Sequence, residues 1–210
     1  MIKKRLLIVG AGGHGRVVAE AATGNGQWHE ILFVDDKFPE LTRINHWPVI
    51  GKITDLKNIF EKGLHLIVAI GENTMRLRLQ ETGKGIGYEI GVVIHPTAQL
   101  SDNSMIGEGS VVLANCIVNT GTSIGRGVIL NSASTVDHDN LIGDGVHLSP
   151  GVHLGGNVSI GSLSWIGIAA TVVHGCTIGE NVVAGAGAVV IDNVSDATTV
   201  VGVPAKPIRS

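Results

Sequence analysis

The chain has 210 residues, a formal net charge of −3, and 44% hydrophobic but only 3% aromatic side chains. That length holds two small domains. The charge balance, with no basic run, excludes nucleic acid as a partner, and no apolar stretch reaches the ~18 residues a membrane span needs.

The first 93 residues read as a small α/β domain. Met1-Ile2-Lys3-Lys4-Arg5 followed by Leu6-Leu7-Ile8-Val9 imitates a secretory leader, but the apolar run stops at Gly10, too soon for one. Leu6–Val9 is instead a buried strand. It ends in Gly10-Ala11-Gly12-Gly13-His14-Gly15, and Val17, Val18, Ala21 and Ala22 give the next segment a helical apolar face. Ile31–Val34 is a second strand, closed by Asp35-Asp36. A loop runs through Pro48 to Val49-Ile50-Gly51. Leu64–Ile70 is a third strand, Thr74–Glu81 is helical, and Tyr88–Ile94 is a last strand. Strands alternating with helices predict a small Rossmann-like parallel sheet.

Gly10, Gly12 and Gly15 satisfy G-x-G-x-x-G after a strand, a pattern that puts a phosphate on a helix N-terminus. Asp35 then stands where it can accept from a ribose hydroxyl. A nucleotide-sugar meets these requirements as well as NAD does, and a turn with no ligand is the third reading. His14 either bonds a ligand phosphate or caps the loop.

From Ile94 the pattern changes. Every sixth residue is apolar, from Ile94 and Leu100 through Ala184 to Val190. Four residues after each of these lies a small or β-branched one, from Ala98 to Val194, with Asn140 the exception. A hexapeptide period is a signature of a parallel β-helix. Gly107, Gly125, Gly143, Gly161 and Gly179 lie 18 apart, so three hexapeptides make one coil of a triangular prism. Glycine at that spacing predicts a sharp bend or a positive φ. Residues 94–195 make five to six coils, and the rest of 94–210 is a tail. Cys116 and Cys176 both fall in the small-residue slot and read as reduced core residues of a cytoplasmic protein.

The densest polar run of the prism is Asn131-Ser132-Ala133-Ser134-Thr135-Val136-Asp137-His138-Asp139-Asn140. It holds His138 between two carboxylates, which fix an imidazole tautomer and raise its basicity as a general base requires. The alternative for His138 is a solvated surface histidine. His153 and His174 read as ordinary surface residues. Metal catalysis is not expected. His147-x5-His153 departs from the H-x4-H of the γ-class carbonic anhydrases, and His138 and His174 lie two coils apart, roughly 10 Å.

The repeat, the Gly202-Val203-Pro204-Ala205-Lys206 tail and Asn131-x6-His138 resemble the left-handed β-helix acyltransferases. With the Gly-Gly-His-Gly turn and Asp35-Asp36, the chain resembles the two-domain sugar acetyltransferases. These include the UDP-4-amino-sugar N-acetyltransferases of bacterial glycan biosynthesis and the sialic acid O-acetyltransferases. The resemblance implies acetyl-CoA as co-substrate, no metal, and a homotrimer with acetyl-CoA held between neighbouring subunits. It implies His138 as base, with Asp139 as its acidic neighbour. Asp139 stands where the bacillosamine-pathway enzymes have Glu, one methylene longer, and Asp137 can share its task. It places His147 at the thioester of acetyl-CoA and Ile168 and Ala186 along the pantetheine arm. It places Gly12, Gly13, His14, Asp35, Asp36 and Gly51 at the nucleotide-sugar. Direct transfer is implied, because no Cys sits beside a histidine in the repeat and no G-x-S-x-G occurs. An O-acetyltransferase acting on sialic acid or a related sugar is the alternative within the resemblance. A non-catalytic nucleotide-sugar-binding scaffold is the alternative outside it.

Overall fold

A computed structural model describes residues 4–208. Met1–Lys3 of the basic start lie outside the described residues. Strand β1 (Lys4–Val9) leads through the glycine turn into α1 (Gly13–Gly24), then β2 (Trp28–Val34). A two-stranded ribbon follows, β3 (Arg43–Ile44) and β4 (Trp47–Pro48). The chain continues through α2 (Leu56–Ile59), β5 (Leu64–Val68), α3 (Asn73–Ile86) and β6 (Glu89–Ile90). The sheet is parallel, in the order β2-β1-β5-β6. Its strands are near-continuous apolar runs because both faces are covered. Leu7, Val9, Leu66 and Val68 point to the side of α2 and α3, and Leu6, Ile8 and Ile67 to the side of α1.

The repeat folds as a parallel β-helix with three faces. The first face runs from Val93–Ile94 to Thr199–Val201, the second from Gln99–Leu100 to Val189–Val190, and the third from Met105–Ile106 to Thr177–Ile178. From Val93 to Val190 each two-residue strand stacks on the one 18 residues away, as Val111 pairs with Ile129 and Ile129 with His147, and the last coil is shorter, with Val183 paired to Thr199. Both sequence series point inward: Val112, Leu130, Leu148 and Ile166 of the first and Cys116, Val128, Val146 and Val182 of the second are fully buried.

Two separate constraints turn the corners. The first is a left-handed residue at every sixth position from 109 to 187, among them Gly109 (φ 74), Asn115 (φ 60), Ala133 (φ 59) and Asp139 (φ 58). Gly, Asn and Asp tolerate that conformation best. The second involves the glycines spaced 18 apart, which do not have positive φ, contrary to the sequence expectation. They are bare because coils touch there. A Cβ on Gly143 would stand 2.6 Å from Ser162 N, and one on Gly161 2.5 Å from Glu180 N.

Inside the corners the small polar residues bond coil to coil. Ser110 Oγ donates to Gly125 O at 2.8 Å and accepts from Val128 N at 2.9 Å. Thr122 and Ser164 repeat the pattern with the residues 15 and 18 positions on.

The two parts share a core. Outward residues Val93, Val111 and Ile129 of the first face join the cluster that holds Val18, Ala22 and Phe33. Arg76 of α3, 1% exposed, fastens the junction. Its five N–H groups all find acceptors: Gly127 O, Ile70 O, Gly71 O, Asn73 Oδ1 and Gly145 O, at 2.6–3.0 Å.

Gly143→Ala should destabilise the protein by about 1–3 kcal/mol, because the coils cannot separate to admit a methyl group. Gly85→Ala, exposed in α3 with nothing within 4 Å of the new Cβ, should stabilise it by about 0.5–1 kcal/mol. Urea unfolding of the two variants should therefore shift in opposite directions.

Candidate functional site

The glycine turn divides into structural and open positions. A side chain on Gly15 would run into Gly10 O, whereas a Cβ on Gly12 or Gly13 would meet nothing within 4 Å. No protein contact requires those two glycines to be bare, and no side chain caps α1. The turn thus presents open N–H groups at a helix N-terminus, the arrangement that receives a phosphate.

Asp35 makes contacts that the sequence did not disclose. Its Oδ2 accepts from Ala11 N at 2.8 Å and its Oδ1 from Lys37 N at 3.0 Å, so it braces the turn against the next loop. Gly51 O accepts from Asp35 N at 3.0 Å, which ties Gly51 into the same brace. Asp36 is exposed and lines a cavity of about 690 Å³ between α2 and α3, beside Lys57 and Arg78.

His14 and His147 meet the same surroundings from opposite sides of the junction. His14 opens α1, and His147 is an outward residue of the first face. His14 Nε2 and His147 Nδ1 are buried without a partner. Burial lowers His14 to about 4 and His147 to about 3, and the Arg76 charge adds to both shifts. His147 also feels His14. Asn131 Nδ2 approaches His147 Nε2 at 3.4 Å, which makes Nε2 the acceptor and leaves the proton on Nδ1. Trp165, one coil on, stacks on His147 with ring centroids 5.6 Å apart and planes 3° apart. The two rings, with Asn73, Thr74, Leu163 and Val183, line a cavity of about 540 Å³. Beyond the N-terminal domain's cover the first face is open, with Trp165 48% and Val183 40% exposed. Ile168 and Ala186 share one corner slot at its edge with the second face, on successive coils, and both are exposed.

His138 stands elsewhere, on the edge between the second and third faces. The N-terminal domain packs on the first face, so this edge is the one opposite it. His138 Nδ1 lies 2.9 Å from Asp139 Oδ2, so Nδ1 carries the proton and Nε2 presents a lone pair. Asp137 does different work: its Oδ1 accepts from His138 N at 2.9 Å and from Asn119 Nδ2 at 2.8 Å. The Asp139 bond and the Asp137 charge hold His138 above the ordinary histidine range. The ring lies over Gly156 of the next coil, where a Cβ would come 2.5 Å from Nε2. The Asp139 carboxylate lies in the same way over Gly121 of the preceding coil. Of the candidate residues, His14 and His147 are thus brought together and His138 is held apart from both.

Residues 5–82 match the family model described as the PglD N-terminal domain. The solved acetyltransferase domain of PglB from Neisseria gonorrhoeae FA1090, in complex with acetyl coenzyme A, superposes with a TM-score of 0.95. It is 43% identical and covers 98% of this chain and 100% of its own. The chain belongs to the two-domain left-handed β-helix sugar acetyltransferases. PerB from Caulobacter crescentus, solved with CoA and GDP-perosamine, is another of these, with 35% identity, a TM-score of 0.90 and coverage of 100% of this chain and 99% of its own. A curated relative, the UDP-N-acetylbacillosamine N-acetyltransferase of Bacillus subtilis (strain 168), is 36% identical over 114 residues, 53% of this chain and 52% of the relative. The chain spans about half the length of the curated relatives it matches. No helix among the described residues is long and apolar enough to cross a membrane.

In this acetyltransferase-family chain the buried histidines set an acid limit on stability. Both are uncharged in the fold, while in the unfolded chain they take up protons below about pH 6.5. The unfolded state then binds more protons, so stability falls as pH drops from about 6.5 toward 4. His147→Gln should flatten that decline, and melting temperature measured across this window in both proteins checks it.

Proposed function

We propose that the chain is an acetyl-CoA-dependent N-acetyltransferase that acetylates the amino group of a UDP-4-amino-sugar by direct transfer. The observation that carries this reading is the His138–Asp139 pair, in which Asp139 holds Nδ1 and His138 presents a lone pair at Nε2 on an exposed corner of the prism.

The turn at Gly12, Gly13 and His14 holds the diphosphate. Asp35, Asp36 and Gly51 frame the nucleotide side. Acetyl-CoA lies along the open part of the first face, with its pantetheine arm at Ile168 and Ala186 and its thioester at His147. The sugar amine attacks the thioester carbonyl carbon and His138 Nε2 accepts its proton. The C–S bond breaks, and the departing sulfur takes the proton back from the imidazolium. A backbone N–H of the prism steadies the carbonyl oxygen as it gains charge. The raised pKa of His138 suits it to take up the proton.

The opposite placement of His138 and the N-terminal domain supports a homotrimer. One chain cannot bring its own His138 to its own His14, whereas neighbours around a three-fold axis can set the His138 edge of one against the open first face of the next. Light scattering should give three times the 21.8 kDa of one chain, and a monomer at assay concentration would remove the composite site.

His138→Ala should lower kcat by about 10²–10⁴ with little change in acetyl-CoA affinity. Thiol release from acetyl-CoA in the presence of a UDP-4-amino-sugar reads it, and near-normal turnover would rule out the base. Calorimetry with UDP- and GDP-linked amino-sugars tests the nucleotide, and preference for GDP would move the substrate to the perosamine type.

A further inference from the structure

Asn140 breaks the small-residue series, and the structure shows where it goes. It is fully buried inside the prism, behind the corner that carries His138. Two of its bonds are those that Ser110, Thr122 and Ser164 make in the same slot. Nδ2 donates to Gly155 O at 3.0 Å, the residue 15 positions on, and Oδ1 accepts from Val158 N at 3.0 Å, the residue 18 positions on. Ser110, Thr122 and Ser164 make the same pair with a single hydroxyl.

Asn140 adds two contacts those hydroxyls do not make. Nδ2 also reaches back to Asp137 O at 2.7 Å and to His138 O at 3.2 Å. Its two N–H groups are shared among three carbonyls. The carbonyls of Asp137 and His138 are drawn inward, toward the prism axis, on the far side of the backbone from the imidazole. The next residue, Asp139, is left-handed (φ 58), and its carboxylate meets His138 Nδ1.

We propose that Asn140 is a positioning residue for His138, holding the corner backbone from inside the prism so that the imidazole and the Asp139 carboxylate meet outside it. This rests on the reading of His138 as the base. The coils above and below face that imidazole with Thr120, Gly121, Gly156 and Asn157, none of which titrates. Asp137 and Asp139 are therefore the charged groups that act on it.

The slot itself supplies the test. Asn140→Ser keeps a hydroxyl for Gly155 O and Val158 N, as Ser110 and Ser164 do in their coils, and removes the two contacts to the corner. Asn140→Thr does the same with the side chain of Thr122 and serves if the serine variant is too loosely packed. Melting temperature and oligomeric mass establish that the variant is intact.

Magnetic resonance titration of the His138 ring then reads the geometry without regard to turnover. His138 should titrate closer to an ordinary histidine, because its bond to Asp139 is loosened. The acid limb of the kcat profile should move to lower pH by the same amount. kcat should fall roughly 10- to 100-fold, with the KM for acetyl-CoA and for the amino-sugar unchanged. An intact variant whose His138 titrates as before overturns the proposal, and so does a shifted titration with unchanged kcat in an enzyme that His138→Ala inactivates. Normal turnover in His138→Ala would overturn the base and leave the titration to judge Asn140 alone.

Discussion

Every candidate site residue of the prism is placed by the left-handed residue that turns each corner. That residue recurs every six positions, and it fixes which side chains enter the interior and which leave it. Two apolar or small residues per hexapeptide point in, and the corner residues point out. His138 and Asp139 occupy two successive corner positions, so neither has an interior alternative. Asp139 is itself the left-handed residue, and a short polar side chain relieves part of the strain that a bulkier one would feel there. The dyad is thus built from the same geometry that folds the solenoid. Bare backbone at Gly121 and Gly156 gives its two side chains room to lie along neighbouring coils.

The junction rests on a different principle. Arg76 is a buried cation whose bonds all go to neutral acceptors, four backbone carbonyls and one amide. Burial of a charge is expensive unless its hydrogen bonds are complete, and here they are. Two of the acceptors, Gly127 O and Gly145 O, belong to successive prism corners, while two others belong to the loop after β5. The guanidinium therefore locks the angle between the domains. Its field reaches His14 and His147 and works with burial to keep both rings neutral. Structural rivet and electrostatic control are one side chain.

The fold was legible because a solenoid repeats its rule in every coil, and each apolar residue from Val112 to Val190 stands where the period puts it. The reason for the 18-spaced glycines was not legible, since sequence does not distinguish a bend from a close approach between coils. Asn140 was visible as an irregularity, and its inward direction followed from its slot. What it bonds depends on a backbone excursion that only coordinates reveal. Between Asp137 and Asp139 the sequence offered no choice, and the distances assign the ring to one and the backbone to the other. Asp35 was visible as a ligand candidate but not as a loop brace. Arg76 carried no signal beyond its place in α3, because a single arginine in a helix reads as surface.

The coil also works as a counting device. A deletion of six residues within the prism would keep every inward residue inward and every corner a corner, so the polypeptide would still stack. All residues beyond it would nevertheless rotate by one face, and Ile168 and Ala186 would leave the edge of the face that carries His147. Only a change of 18 residues preserves the faces, and it moves the downstream residues by one strand spacing, roughly 4.8 Å along the axis. Length variation between His138 and the tail is therefore tolerated by folding in steps of six and by the site in steps of 18. The second is the stricter ruler, and it sets how far along the prism an extended ligand must reach.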